Sequence, residues 1–67
     1  MNVKDKNKLL DQLVRSAYLE MKYITQMKII LEEINFWDQK QNLKQRIRLS
    51  ESLYSGILNV IDTITKR

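Results

Sequence analysis

Three residue types are missing from this chain and a fourth occurs once. There is no cysteine, no histidine and no proline, and glycine appears only at Gly56. Without cysteine, a disulfide or a thiolate metal site is excluded. Without histidine, the chain lacks the commonest transition-metal ligand and the commonest general base. Sheet proteins need many turns, and turns draw on proline and glycine, so their scarcity argues against strands. What remains is rich in Leu, Ile, Lys, Gln and Glu, most of them good helix formers. An all-α fold follows.

Length sharpens the problem. At 67 residues the chain is one domain, and below roughly 70–80 residues a single core rarely supplies more than about 3–5 kcal/mol without a staple. Disulfides and the usual metal sites being excluded, the expected staple is oligomerisation or a partner protein.

Long apolar runs are also missing. The longest uncharged stretch, "SLYSGILNVI", ends at Asp62, well short of the roughly 20 residues that span a bilayer. Asp11 breaks the opening "MNVKDKNKLLDQLV" where a secretion signal needs an unbroken apolar stretch. These features, with the missing cysteine, predict a cytoplasmic protein with no membrane span. The net charge of +4 and pI of about 9.6 suit nucleic acid or an acidic membrane surface but require neither.

Two periodic runs organise the chain. Leu10, Leu13, Ala17, Ile24, Met27, Leu31 and Ile34 form a heptad-like seam, and Val14, Tyr18 and Met21 are expected to widen it. Leu43, Ile47, Ser50, Tyr54, Ile57, Ile61 and Ile64 alternate steps of four and three, with Ser50 the one polar member. The predicted architecture is a two-helix antiparallel hairpin: helix one about 4–35, a turn about 35–42, helix two about 42–66. Asn2 and Asp5 are the candidate N-caps of helix one. Asn35 is suited to a left-handed helix end. Asp38 with Gln41 resembles a capping box for helix two, and Asn42 with Gln45 is a rival start one turn later. On this reading Phe36 and Trp37 fold back over the end of the hairpin. A break near Ser50 that starts a third short helix is the alternative to a continuous helix two.

A second apolar stripe accompanies each seam. Tyr23, Met27, Ile30, Ile34 and Trp37 are assigned to helix one, and Leu49, Leu53, Gly56 and Val60 to helix two. Each helix of a hairpin has one intramolecular neighbour, so one stripe per helix is left for a partner, and large exposed apolar patches usually mark interaction surfaces. Gly56 costs about 1 kcal/mol of helix propensity relative to Ala, a loss that close approach of another helix would explain. Both stripes could instead meet in the broad core of a homodimeric four-helix bundle.

Other constellations are weaker. Lys40, Lys44 and Arg48 fall on one flank of helix two with Arg46 on the other side, and Phe36 and Trp37 sit just upstream. Cations beside aromatics suit phosphate contacts and base stacking, although a solvated helix flank looks the same. Glu32 and Glu33 are neighbours and point about 100° apart on a helix, a poor arrangement for acid–base chemistry. The serines have no histidine, nor does any lie in a nucleophile elbow or a phosphate loop. No enzymatic activity, cofactor or metal site is expected.

The whole chain, in size and helix–turn–helix layout, resembles the small YscE/PscE-type co-chaperones of bacterial type III secretion. The likeness is carried by "KQNLKQRIRLSESLYSGILNVIDTI", at Lys40, Gln41, Leu53, Ser55, Gly56, Ile57 and Val60. It implies a bacterial cytoplasmic protein that docks a tetratricopeptide-like chaperone and helps keep a needle subunit soluble. Leu53, Gly56, Ile57 and Val60 would then face that assembly. The pI is high for that family. In architecture alone the chain is also similar to the Rop-type plasmid RNA-binding hairpins, which implies the alternative of a homodimeric bundle binding nucleic acid through its basic flank.

Overall fold

A computed structural model describes residues 2–66. Within them the chain forms an all-α hairpin of two helices, α1 (Val3–Glu33) and α2 (Trp37–Thr65), packed antiparallel along each other. The rod measures 51 × 14 × 12 Å between Cα extremes.

The first helix starts on a side-chain cap. Asn2 Oδ1 accepts the Asp5 backbone N–H at 2.8 Å, and the Asn2 carbonyl accepts the Lys6 N–H at 3.0 Å. Asn2 is therefore the cap and Asp5 lies inside the first turn, where its negative charge suits the positive end of the helix dipole. Thr25, Thr63 and Thr65 keep their places in the helices by folding their hydroxyls onto carbonyls four residues back, at 2.9–3.0 Å.

The turn is shorter and earlier than the amide-rich stretch predicts. Only residues 34–36 separate the helices. Ile34 ends α1 in an extended conformation, φ −78° and ψ 132°, while its N–H still donates to the Ile30 carbonyl. No non-glycine residue described has positive φ, so Asn35 does not form a left-handed cap. Phe36, also extended, is the N-cap of α2 without any side-chain cap bond, which displaces both capping-box proposals. The reversal is made by two extended residues flanking Asn35, and first-turn N–H groups at an exposed hairpin tip can be satisfied by water. Trp37 accordingly belongs to α2, not to the stripe of helix one. Three residues leave no slack for a fold-back: Phe36 and Trp37 are 70% and 72% exposed and do not cover the end of the hairpin. The second helix runs unbroken through Ser50.

Both seams are where their spacing puts them. Ala17, Ile24, Met27 and Ile47 are buried, with Ser50 beside them; Leu31, Leu43 and Tyr54 pack against the central cluster. The remaining seam residues are half-buried. Val14, Tyr18 and Met21 do not widen the seam and stay exposed, because a single neighbouring helix covers only the narrow strip that faces it. Met21 makes one cross-helix contact, accepting the Tyr54 hydroxyl on its sulfur at 3.9 Å.

Met27, only 3% exposed, is the most deeply buried residue of the core. Met27→Ala is expected to lower stability by about 2–5 kcal/mol. Ile29→Ala, on the outer face of the same helix, should stay within about 0.5 kcal/mol of the parent. Urea denaturation followed by helical circular dichroism distinguishes them, and equal losses would refute this assignment of the seam.

Candidate interaction surface

The hairpin has two flanks, one on either side of its seam. One flank is fixed by a cross-helix ion pair: Lys28 Nζ lies 3.9 Å from Glu51 Oε1. Lys28 follows the seam residue Met27, and Glu51 follows the seam residue Ser50. Residues that follow inner seam positions share that flank, and those that precede the next seam residue lie on the other, since seam positions recur every three and four residues. Tyr23, Ile30, Leu53 and Val60 precede Ile24, Leu31, Tyr54 and Ile61, which puts all four on the flank away from the ion pair. Leu49 and Gly56, four residues before Leu53 and Val60, lie about 40° further outward on the same side.

Most of the predicted contact residues thus come together. Tyr23, Ile30, Leu49, Leu53, Gly56 and Val60 form one exposed strip drawn from both helices, with Leu49 and Leu53 more than 60% exposed. Met27, Ile34 and Ile57 are not part of it. Met27 is core, and the other two are half-buried in the seam, because a helix position that already faces its neighbour cannot also face a partner. Trp37 stands apart at the tip. Leu19 was missed; it lies four residues before Tyr23, on the same line, and is as exposed as Leu53. Extending the Tyr23 stripe backward by one helical step finds it.

Charge separates the two flanks. Along the apolar strip, the outward positions from Leu19 to Ile30 on α1 and from Leu49 to Val60 on α2 carry no charge, and Glu33 and Arg46 stand at its turn end. The opposite flank holds a shallow hollow lined by Lys28, Leu31, Glu32, Lys44, Ile47, Arg48 and Glu51. Exposed pairs of this kind contribute only about 0–1 kcal/mol each, so the ion pair marks the flank more than it holds the fold. Val14, Tyr18, Met21 and Leu58 add apolar surface near the open end of that flank, beside the exposed Arg15–Asp11 pair, 3.1 Å apart.

Gly56 has no structural duty inside the hairpin. A Cβ placed there would meet nothing within 4 Å, and its φ is not positive. The glycine leaves a notch in the apolar strip.

The four cations do not gather into one surface. Lys40 is half-buried, and Arg46 lies on the apolar side. Lys44 and Arg48 share their hollow with Glu32 and Glu51. Among the described residues no three His, Cys, Asp or Glu side chains are grouped to hold a metal ion, and no helix is long and apolar enough to cross a membrane.

No protein-family model matches the chain, and neither the curated proteins nor the solved structures contain a match to it.

Because Lys44 and Arg48 are interleaved with carboxylates, they should act toward a polyanion as scattered charges. A labelled single-stranded oligonucleotide is expected to show no saturable anisotropy change at about 0.15 M salt, where weak exposed charge is screened. Saturable binding that Lys44→Gln weakens would reinstate the basic flank as a nucleic-acid contact.

Proposed function

We propose that this chain is a small cytoplasmic interaction module that lends the apolar strip of its hairpin to a helical protein surface. The observation that carries the reading is the strip itself, with Tyr23, Ile30, Leu49, Leu53 and Val60 exposed along a flank whose middle carries no charge, Glu33 and Arg46 standing at its turn end. Solvent-facing helix flanks ordinarily carry mixed charges, as the other flank of this hairpin does. Contiguous exposed apolar surface without charge is the composition of a binding face.

The likeness to type III secretion co-chaperones gives the reading its most specific form. In that form the partner is a tetratricopeptide-like chaperone, with a needle subunit held by the pair. Leu53, Gly56 and Val60, three positions of that likeness, lie on the apolar strip, which supports their use as contacts. Ile57 lies half-buried in the seam. A charged substitution at Ile57 would damage the seam of the hairpin itself, whereas one at Leu53 removes no contact within it.

A photoreactive amino acid placed at Leu53, and in a second variant at Ser52, tests the proposal in the protein's own cells. Ser52 is exposed on the outer face of α2. Illumination is expected to yield protein adducts from position 53 and few from position 52. Equal yields, or none from either, would overturn the interaction reading.

A further inference from the structure

Building on that reading, we infer that the occupant of the apolar strip is a second copy of this chain, so that two hairpins close into a four-helix bundle with their turns at opposite ends. The first argument is area. The hairpin exposes 5697 Å², while a compact chain of its mass exposes about 4,500 Å². The shape says the same, since the radius of gyration is 15.5 Å against about 11 Å for a compact domain of this length. The excess of about 1,200 Å² per chain gives two chains about 2,400 Å² to cover, and a stable interface buries roughly 1,600 Å² in total. One flank of a rod 51 Å long can supply its half.

The second argument is charge. Across a twofold interface residue i of one chain meets residue j of the other, so charge complementarity there requires the same face to carry both signs at matching positions, each pair occurring twice. A self-complementary face must keep like charges apart, and the simplest way is to have few. This strip has Glu33 and Arg46 at its turn end and none between Leu19 and Ile30 on α1 or Leu49 and Val60 on α2, and homodimer interfaces are more apolar and charge-depleted than non-obligate ones.

The charge nearest the middle of the strip, Arg46, sets the orientation. Arg46 lies nearer the turn than the middle of the strip, which falls near Tyr23 and Leu53. With the two turns together, the two Arg46 side chains would lie at the same level of the bundle, with like charges gathered at one end. With the turns at opposite ends, a twofold axis near Tyr23 and Leu53 carries them toward opposite ends of the bundle. The same axis puts the notch at Gly56 of each chain within the covered region, where a helix of the other copy can approach more closely.

Sedimentation equilibrium of the purified chain across a dilution series, with thermal melts at each concentration, tests the inference. A species of twice 8.1 kDa is expected, with a melting temperature that rises with concentration, as it must when the pair is the folded unit. Leu53→Asp should raise the dissociation constant at least about 100-fold, and Val14→Asp, on the other flank, should leave it within about threefold. Should Leu53→Asp unfold as it dissociates, the concentration dependence of the wild-type melt still decides. A monomer whose melting temperature ignores concentration overturns the second copy, as does a dimer that Val14→Asp disrupts and Leu53→Asp does not. If Leu53 still crosslinks to another protein in cells while the purified chain is monomeric, only the second-copy inference fails; if neither association is found, the interaction reading fails too. A spin label on a cysteine introduced at Asn35 reads the orientation: about 40 Å between labels with turns at opposite ends, and under about 20 Å, overturning that orientation, with turns together.

Discussion

One helix lying along another covers only the strip that faces it, and this limit governs the whole chain. Seven positions of each helix form the seam, yet among the described residues only Ala17, Ile24, Met27, Ile47 and Ser50 are buried. No described side chain is fully enclosed, since no third element exists to close the other sides. A chain of 43% hydrophobic composition therefore has apolar residues for which its own fold has no interior. Tyr23, Ile30, Leu49 and Leu53 are exposed as a consequence of topology, whatever they contact.

The same limit explains what could be read in the sequence. Steps of three and four residues identify which positions face a neighbouring helix, and every seam residue named from spacing is buried or half-buried. Spacing does not say how wide a neighbour is. Val14, Tyr18 and Met21 satisfy the periodicity of a broad core but face solvent beside one slim helix. The apolar strip was half legible for a related reason. Tyr23, Ile30, Leu49, Leu53 and Val60 follow from the second stripe, whereas Met27, Ile34 and Ile57 lie within reach of both stripes and the seam takes them. The turn was the least legible part. Asn35, Asp38 and Asn42 are residues that cap helices through their side chains, but the chain reverses by extended backbone at Ile34 and Phe36, a device with no residue signature.

Polar residues inside the seam were hidden between its regular members. Glu20 falls between Ala17 and Ile24, seven residues apart, and Lys40 falls seven before Ile47; both are half-buried. Ser50 is buried outright. Each weakens the seam relative to an aliphatic residue, and each also penalises a slipped pairing that would press it into the Ile24, Met27 and Ile47 cluster. Within the central cluster Ser50 is the one polar neighbour, and Ile24, Met27 and Ile47 pack with Leu31, Leu43 and Tyr54 around it, which places the strongest packing near the turn side of the rod's middle.

The unequal flanks bear on how many chains can assemble. An apolar strip on both sides would let hairpins add one after another into an open array, whereas a single strip closes once it is covered. Lys28, Glu32, Lys44, Arg48 and Glu51 occupy the other flank near the turn, and the Arg15–Asp11 and Lys66–Asp62 pairs stand on exposed surface toward the open end. Burying these charges against a further hairpin would remove them from water with no matching partners, a cost set against the apolar gain of Val14, Tyr18, Met21 and Leu58 on the same flank. The charges thus contribute little to the stability of one hairpin and act chiefly against unwanted association. Under the proposed pairing, a rod with one apolar side and one charged side would acquire a single neighbour, and the depletion of charge on the first side would matter as much as the excess on the second.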